Sequence, residues 1–178
     1  AHVSCDQAVQ VIRWGKAQGA RITAETCPHY LLLTEAEVKG YNTNAKVNPP
    51  LRTEADVASM RQALKDGTID MLVTDHAPHA DFEKEEPMDV APCGISGLDT
   101  ALACTWSLVE QGVFSHMELV EAWCYKPAEI FSLKACKFRP GDPADFVLFD
   151  PAHTWQVTAE TMYSKGKNTP LLDREVKG

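Results

Sequence analysis

Apolar residues begin at helical spacing almost at once. Ala8, Val11, Ile12 and the small Gly15 share a face, Ser4 and Gln7 stand at capping-box spacing, and Gly19 is placed as the stop. The pattern then shortens to a strand over residues 21–26, closed by Cys27-Pro28. Thr34 with Glu37 caps a brief helix that stops at Gly40, and Pro49-Pro50 forces an extended or turning backbone. Thr53 opens the next helix, with Val57, Met60 and Leu64 on one face and Gly67 beyond its end. Residues 71–74 form an apolar strand running into 75–79 (DHAPH). Residues 80–93 are charged and carry Pro87 and Pro92, which predicts a surface loop, with Glu83–Glu86 as a solvated face. Residues 98–110 are apolar nearly all round, as in a deeply buried helix. Ser115 with Glu118 caps another helix, and Pro127 can open a short one.

After about residue 137 the character changes. Residues 139–142 (RPGD) read as a turn, while 145–149 and 154–157 read as strands. The chain therefore divides into 1–137, with helices alternating with strands, and 138–178, a small β unit. Strand–helix alternation with short connections predicts an α/β fold, a parallel sheet covered by helices. In such sheets the chemistry gathers at the carboxyl ends of the strands.

Composition narrows the function classes. Among 178 residues, 44% are apolar and 24% charged, which are globular proportions, and the net charge is −8. An acidic balance without a basic block argues against a nucleic-acid or anionic-membrane surface. No apolar run approaches the roughly 20 residues of a membrane span. The six cysteines, at 5, 27, 93, 104, 124 and 136, form no CxxC pair, so a reducing, cytoplasmic setting is expected. The abrupt start at Ala1 reads as a piece of something longer. Trp106, Trp123, Phe114 and Phe131 are assigned to core packing.

Candidate chemistry sits where the two clearest strands end. Asp75 closes the second, and a carboxylate there can ligate a metal or move a proton. Alone it would more readily cap the following turn; His76 and His79 beside it, in a loop stiffened by Pro78, favour the metal-capable reading. His2 and His29, each taken singly, read as structural. Asn48, held by the two prolines, suits either a substrate-orienting amide or a turn. A glycine-rich phosphate loop, a GxSxG elbow and HExxH are all missing.

Five segments, in order, carry a family resemblance: 2–4 (HVS), 46–52 (KVNPPLR), 74–79 (TDHAPH), 92–97 (PCGISG) and 163–170 (YSKGKNTP). Together they resemble the dihydroorotases, the longer bacterial type within the amidohydrolase superfamily. The resemblance implies part of a (β/α)8 TIM barrel, about strands six to eight, with part of a small C-terminal β subdomain. It implies reversible hydrolysis of the cyclic amide of L-dihydroorotate to N-carbamoyl-L-aspartate, in pyrimidine biosynthesis. His2 and Asp75 fall on zinc ligands, and Asp75 is also the catalytic proton-transfer residue. Asn48, His79 and the backbone at Cys93 and Gly94 fall on substrate contacts. The remaining ligands of a binuclear zinc centre should lie before residue 1, so this chain alone is expected to be inactive. A homodimer or an aspartate carbamoyltransferase partner is compatible with the resemblance. The competing expectations are an allantoinase- or hydantoinase-type cyclic amidase, and a non-catalytic homologue that partners aspartate carbamoyltransferase.

Overall fold

The structure, a computed structural model, describes residues 1–135 and 138–178. The expected divide after residue 137 falls beside residues outside that set. Helix α1 (Asp6–Ala17) leads to strand β1 (Glu25–Thr26), then to α2 (Pro28–Leu32) with proline in its first turn. Single 3-10 turns follow at Glu35–Val38 and Thr43–Ala45. After them come α3 (Glu54–Lys65), strand β2 (Met71–Leu72) and a one-turn helix α4 (Asp81–Lys84). Helix α5 (Ala101–Glu110) precedes α6 (His116–Val120), which runs through a wider turn, Glu121–Tyr125, into α7 (Lys126–Ile130). Strands β3 (Thr154–Gln156) and β4 (Glu175–Lys177) close the chain as a separate antiparallel pair.

β1 and β2 pair in parallel, Glu25 opposite Met71 and Thr26 opposite Leu72. The Val3 amide donates to the Glu25 carbonyl at 2.9 Å, and Thr26 Oγ1 donates to the Val3 carbonyl at 2.7 Å. The wall thus runs from 2–4 through β1 to β2, so β1 stands between the His2 segment and the Asp75 strand. In a strand–helix–strand chain the next strand in sequence takes the neighbouring place. Beyond β2, a single parallel bridge joins His76 to Ile95.

Val3, Val9, Leu31, Met60, Ile69, Leu72, Ile95 and Leu108 form one buried cluster where α1, α2, α3 and α5 meet the wall. Here the helical spacing of α1 needs adjustment: Val9 is buried, while Val11 is exposed. Phe114 is core, but Phe131 is exposed. Residues 145–149 pair with no strand among the described residues, and Val147 and Leu148 are exposed. An extended apolar segment becomes a strand only when another edge completes its ladder.

The α1 cap also departs from expectation. Ser4 does not cap it; the N-cap is Cys5, whose side chain makes no capping bond. Instead, Asp56 on α3 accepts the Asp6 amide at 2.9 Å. Asp56 also accepts the Thr53 hydroxyl at 2.7 Å and the Thr53 amide at 3.2 Å, completing a capping box on its own helix. One carboxylate therefore closes two helix ends. Burial raises its pKa, but the bonds from Thr53 and Asp6 outweigh this and hold it below the ordinary 3.8. Because the folded pKa is depressed, its stabilisation is complete above that ordinary value and is lost as pH falls through the folded one. Asp56→Ala should cost about 0.5–2 kcal/mol and flatten the acid side of a stability–pH curve followed by circular dichroism; an unchanged curve would contradict this capping role.

Candidate functional site

The carboxyl end of the wall gathers side chains from three segments. His2 Nε2 lies 3.5 Å from Asp75 Oδ1, while His2 Nδ1 lies 3.1 Å from Glu25 Oε1. The Glu25 carboxylate and the Cys27 thiol thus sit on the Nδ1 side of the His2 ring, and Nε2 faces Asp75. Two ligands each ~2.0–2.2 Å from one tetrahedral ion stand roughly 3.3–3.6 Å apart, so the 3.5 Å His2–Asp75 spacing, an ion-pair distance, is also compatible with a ligand pair. Both residues are held at positive φ, +53° for His2 and +47° for Asp75. Such backbone costs about 1–3 kcal/mol per residue and persists where surrounding structure enforces it.

Two further donors converge there. Cys27 Sγ sits 3.7 Å from His2 Nδ1, and Cys27, His29 and Asp75 each offer an atom within 4.8 Å of the others. His29 is buried, its ring edge-on to Tyr30 at 4.2 Å, and its Nε2 has no hydrogen-bond partner. Burial, then the neighbouring His2, pushes its pKa down to about 3, leaving a neutral imidazole. Burial, then the Asp75 and Glu25 carboxylates, lifts the Cys27 thiol well above its usual range. An orphaned buried nitrogen beside a carboxylate and a thiol is a donor set that a dication would satisfy. Sulfur, nitrogen and oxygen together suit zinc.

The two histidines of DHAPH turn elsewhere. His76 Nδ1 accepts the Leu98 amide at 3.2 Å. His79 Nε2 lies 3.2 Å from the Cys93 carbonyl, and its Nδ1 is 3.5 Å from Glu83. The dense run of three ligands read from the sequence is therefore not brought together; Asp75 meets His2 Nε2 on one side, and Cys27 with His29 within 4.8 Å on another. Glu25 and Cys27 drew no functional reading from the sequence, and the direction of His29 was open. A strand-end carboxylate two residues before Cys27-Pro28-His29 was the available signal.

The expected substrate contacts form a neighbouring rim. His79 is half-buried, Gly94 is buried, and Cys93 and Asn48 are exposed. The Gly94 amide donates to the Lys46 carbonyl at 2.8 Å, tying the Asn48 loop to the 92–97 loop. Gly94 has φ +155°, and a Cβ there would meet the Ala77 carbonyl oxygen and Cβ at 2.8 Å and His79 Cδ2 at 2.9 Å. Glu85 and Glu86 are exposed, as a solvated face requires, but Lys84 between the glutamates is buried. Its ammonium donates to the carbonyls of Pro92 at 2.8 Å and Gly94 at 3.2 Å, and burial lowers its pKa.

Removing the Glu25 charge should loosen His2 without touching a donor atom. Glu25→Gln is expected to weaken zinc binding by about 10–100-fold, read by chelator competition. An unchanged affinity would mean that Glu25 does not orient His2.

Residues 8–172 match the amidohydrolase family. The whole chain is 48% identical to a dihydroorotase of Geobacter metallireducens and 49% identical to one of Pelobacter propionicus. It spans 42% of the length of each. Among solved structures, 99% of the chain superposes on 40% of the L-hydantoinase from Arthrobacter aurescens, with TM-score 0.90 and 29% identity. The dihydropyrimidinase from Brevibacillus agri matches over the same shares, with TM-score 0.89 and 26% identity.

Proposed function

The chain belongs to the amidohydrolase family and corresponds to part of a TIM barrel; from that premise we propose that it is the portion of a dihydroorotase that carries strands six to eight. The carrying observation is the convergence of His2 Nε2 and Asp75 Oδ1 at 3.5 Å, with Glu25 behind His2. The dihydroorotases of Geobacter metallireducens and Pelobacter propionicus support the choice of substrate.

In this reading His2 and Asp75 hold zinc, and Cys27 and His29 stand on the other side of the Asp75 carboxylate. When bound, the metal supplies an activated water and polarises the ring carbonyl. Asp75 takes the proton of the attacking water and returns it to the ring nitrogen as the C–N bond breaks, the two-step work of one positioned carboxylate. His79 and Asn48 hold the substrate carboxylate, and the backbone at Cys93 and Gly94 lines the same end. The chain spans 42% of the length of those dihydroorotases, so the reaction is proposed for the longer protein and not for this chain alone.

The superposition on L-hydantoinase favours a second reading, a hydantoin-opening cyclic amidase. The longer protein, assayed on L-dihydroorotate beside a 5-substituted hydantoin, separates the two. Preferential opening of dihydroorotate supports our proposal, and preference for the hydantoin overturns it.

A further inference from the structure

We infer that Asn168 is a positioning residue, which sets the distance between His79 and the Gly94 backbone and thereby shapes the pocket for the substrate carboxylate. The inference rests on the dihydroorotase reading for the ligand and on geometry for the rest. Asn168 lies far along the chain from both loops, on the final segment, and is buried at 2% exposure. Both ends of its amide are engaged. Oδ1 accepts the His79 amide at 2.8 Å and lies 3.3 Å from the Ser96 hydroxyl oxygen. Nδ2 donates to the carbonyls of Ala77 and Gly94, each at 3.0 Å. Those carbonyls belong to different loops and, without a shared donor between them, would repel.

The neighbouring backbone presses the same way. A Cβ on Gly166 would lie 2.5 Å from the His79 carbonyl oxygen and 2.7 Å from its nitrogen, so this segment rests directly on His79. The Ser96 hydroxyl donates to the Gly166 carbonyl at 2.6 Å, and the Ser96 amide to the Asn168 carbonyl at 2.8 Å. His79, Cys93 and Gly94, three of the proposed substrate contacts, are therefore spaced by a residue that need not touch substrate. Asn168→Asp keeps the shape but turns a carboxylate oxygen onto two carbonyls, which should drive the loops apart.

The test uses the longer protein carrying Asn168→Ala, Asn168→Asp or Gly166→Ala. KM for L-dihydroorotate should rise about 10–100-fold, with kcat within about fivefold and zinc content unchanged. Dihydrouracil, the same ring without the carboxylate, should show no such rise. A residue that only supports folding would lower the active fraction at constant KM, and that result overturns the inference. In parallel, hydrogen exchange at the His79 amide of the chain should quicken at least tenfold in Asn168→Ala; unchanged exchange also overturns it. A wild type inactive on dihydroorotate would defeat the substrate reading, while the exchange result still decides whether Asn168 ties the loops.

Discussion

Asp75→Asn is expected to lower kcat and kcat/KM of the longer protein together, by about 10²–10⁴-fold. The substitution preserves size but removes the base that would shuttle a proton from water to the ring nitrogen. It acts on a residue fixed at φ +47° with its carboxylate 3.5 Å from His2. Asparagine tolerates that backbone at least as well as aspartate, so a large loss cannot be laid to local strain. An amide is also a poorer zinc ligand, and metal content must be measured first. A variant with full zinc and activity within a few-fold of wild type would reduce Asp75 to a turn cap.

His79→Ala should act chiefly on KM, raising it by the equivalent of one charge-assisted hydrogen bond, ~1.5–3 kcal/mol. The structure adds a complication: His79 also meets the Cys93 carbonyl at 3.2 Å, so deleting the ring frees part of the rim. His79→Gln, which can still donate to Cys93, separates the two effects. Recovery of KM in the glutamine variant would assign His79 to bracing the loop. A KM that stays high for L-dihydroorotate but not for dihydrouracil would assign it to the carboxylate.

Local signals in the sequence served well wherever local chemistry decides the outcome. Thr53 opens α3 as expected, Ser115 with Glu118 caps α6, and the apolar strand at Met71 delivers Asp75 to the working end of the wall. The misses come from long-range contacts. Asp56 caps α1 from 50 residues away, a bond that no window around Ser4 contains. Lys84 is buried with its ammonium on the Pro92 and Gly94 carbonyls of one loop, although its neighbours are charged. Residues 145–149 have strand composition but no paired edge among the described residues, and pairing is settled by a partner, not by propensity. At the site, proximity in sequence misled: His76 and His79 follow Asp75 closely, yet the bridge to Ile95 carries both toward the 93–98 backbone. His2, Cys27 and His29 arrive from neighbouring strand ends instead.

The most direct test of the account is the position of zinc in crystals of the longer protein, located by anomalous diffraction at the zinc edge. The account predicts a peak ~2.0–2.2 Å from both His2 Nε2 and an Asp75 carboxylate oxygen, with Glu25 beside His2 Nδ1. Zinc bound with either His2 or Asp75 turned out of its coordination sphere would contradict it.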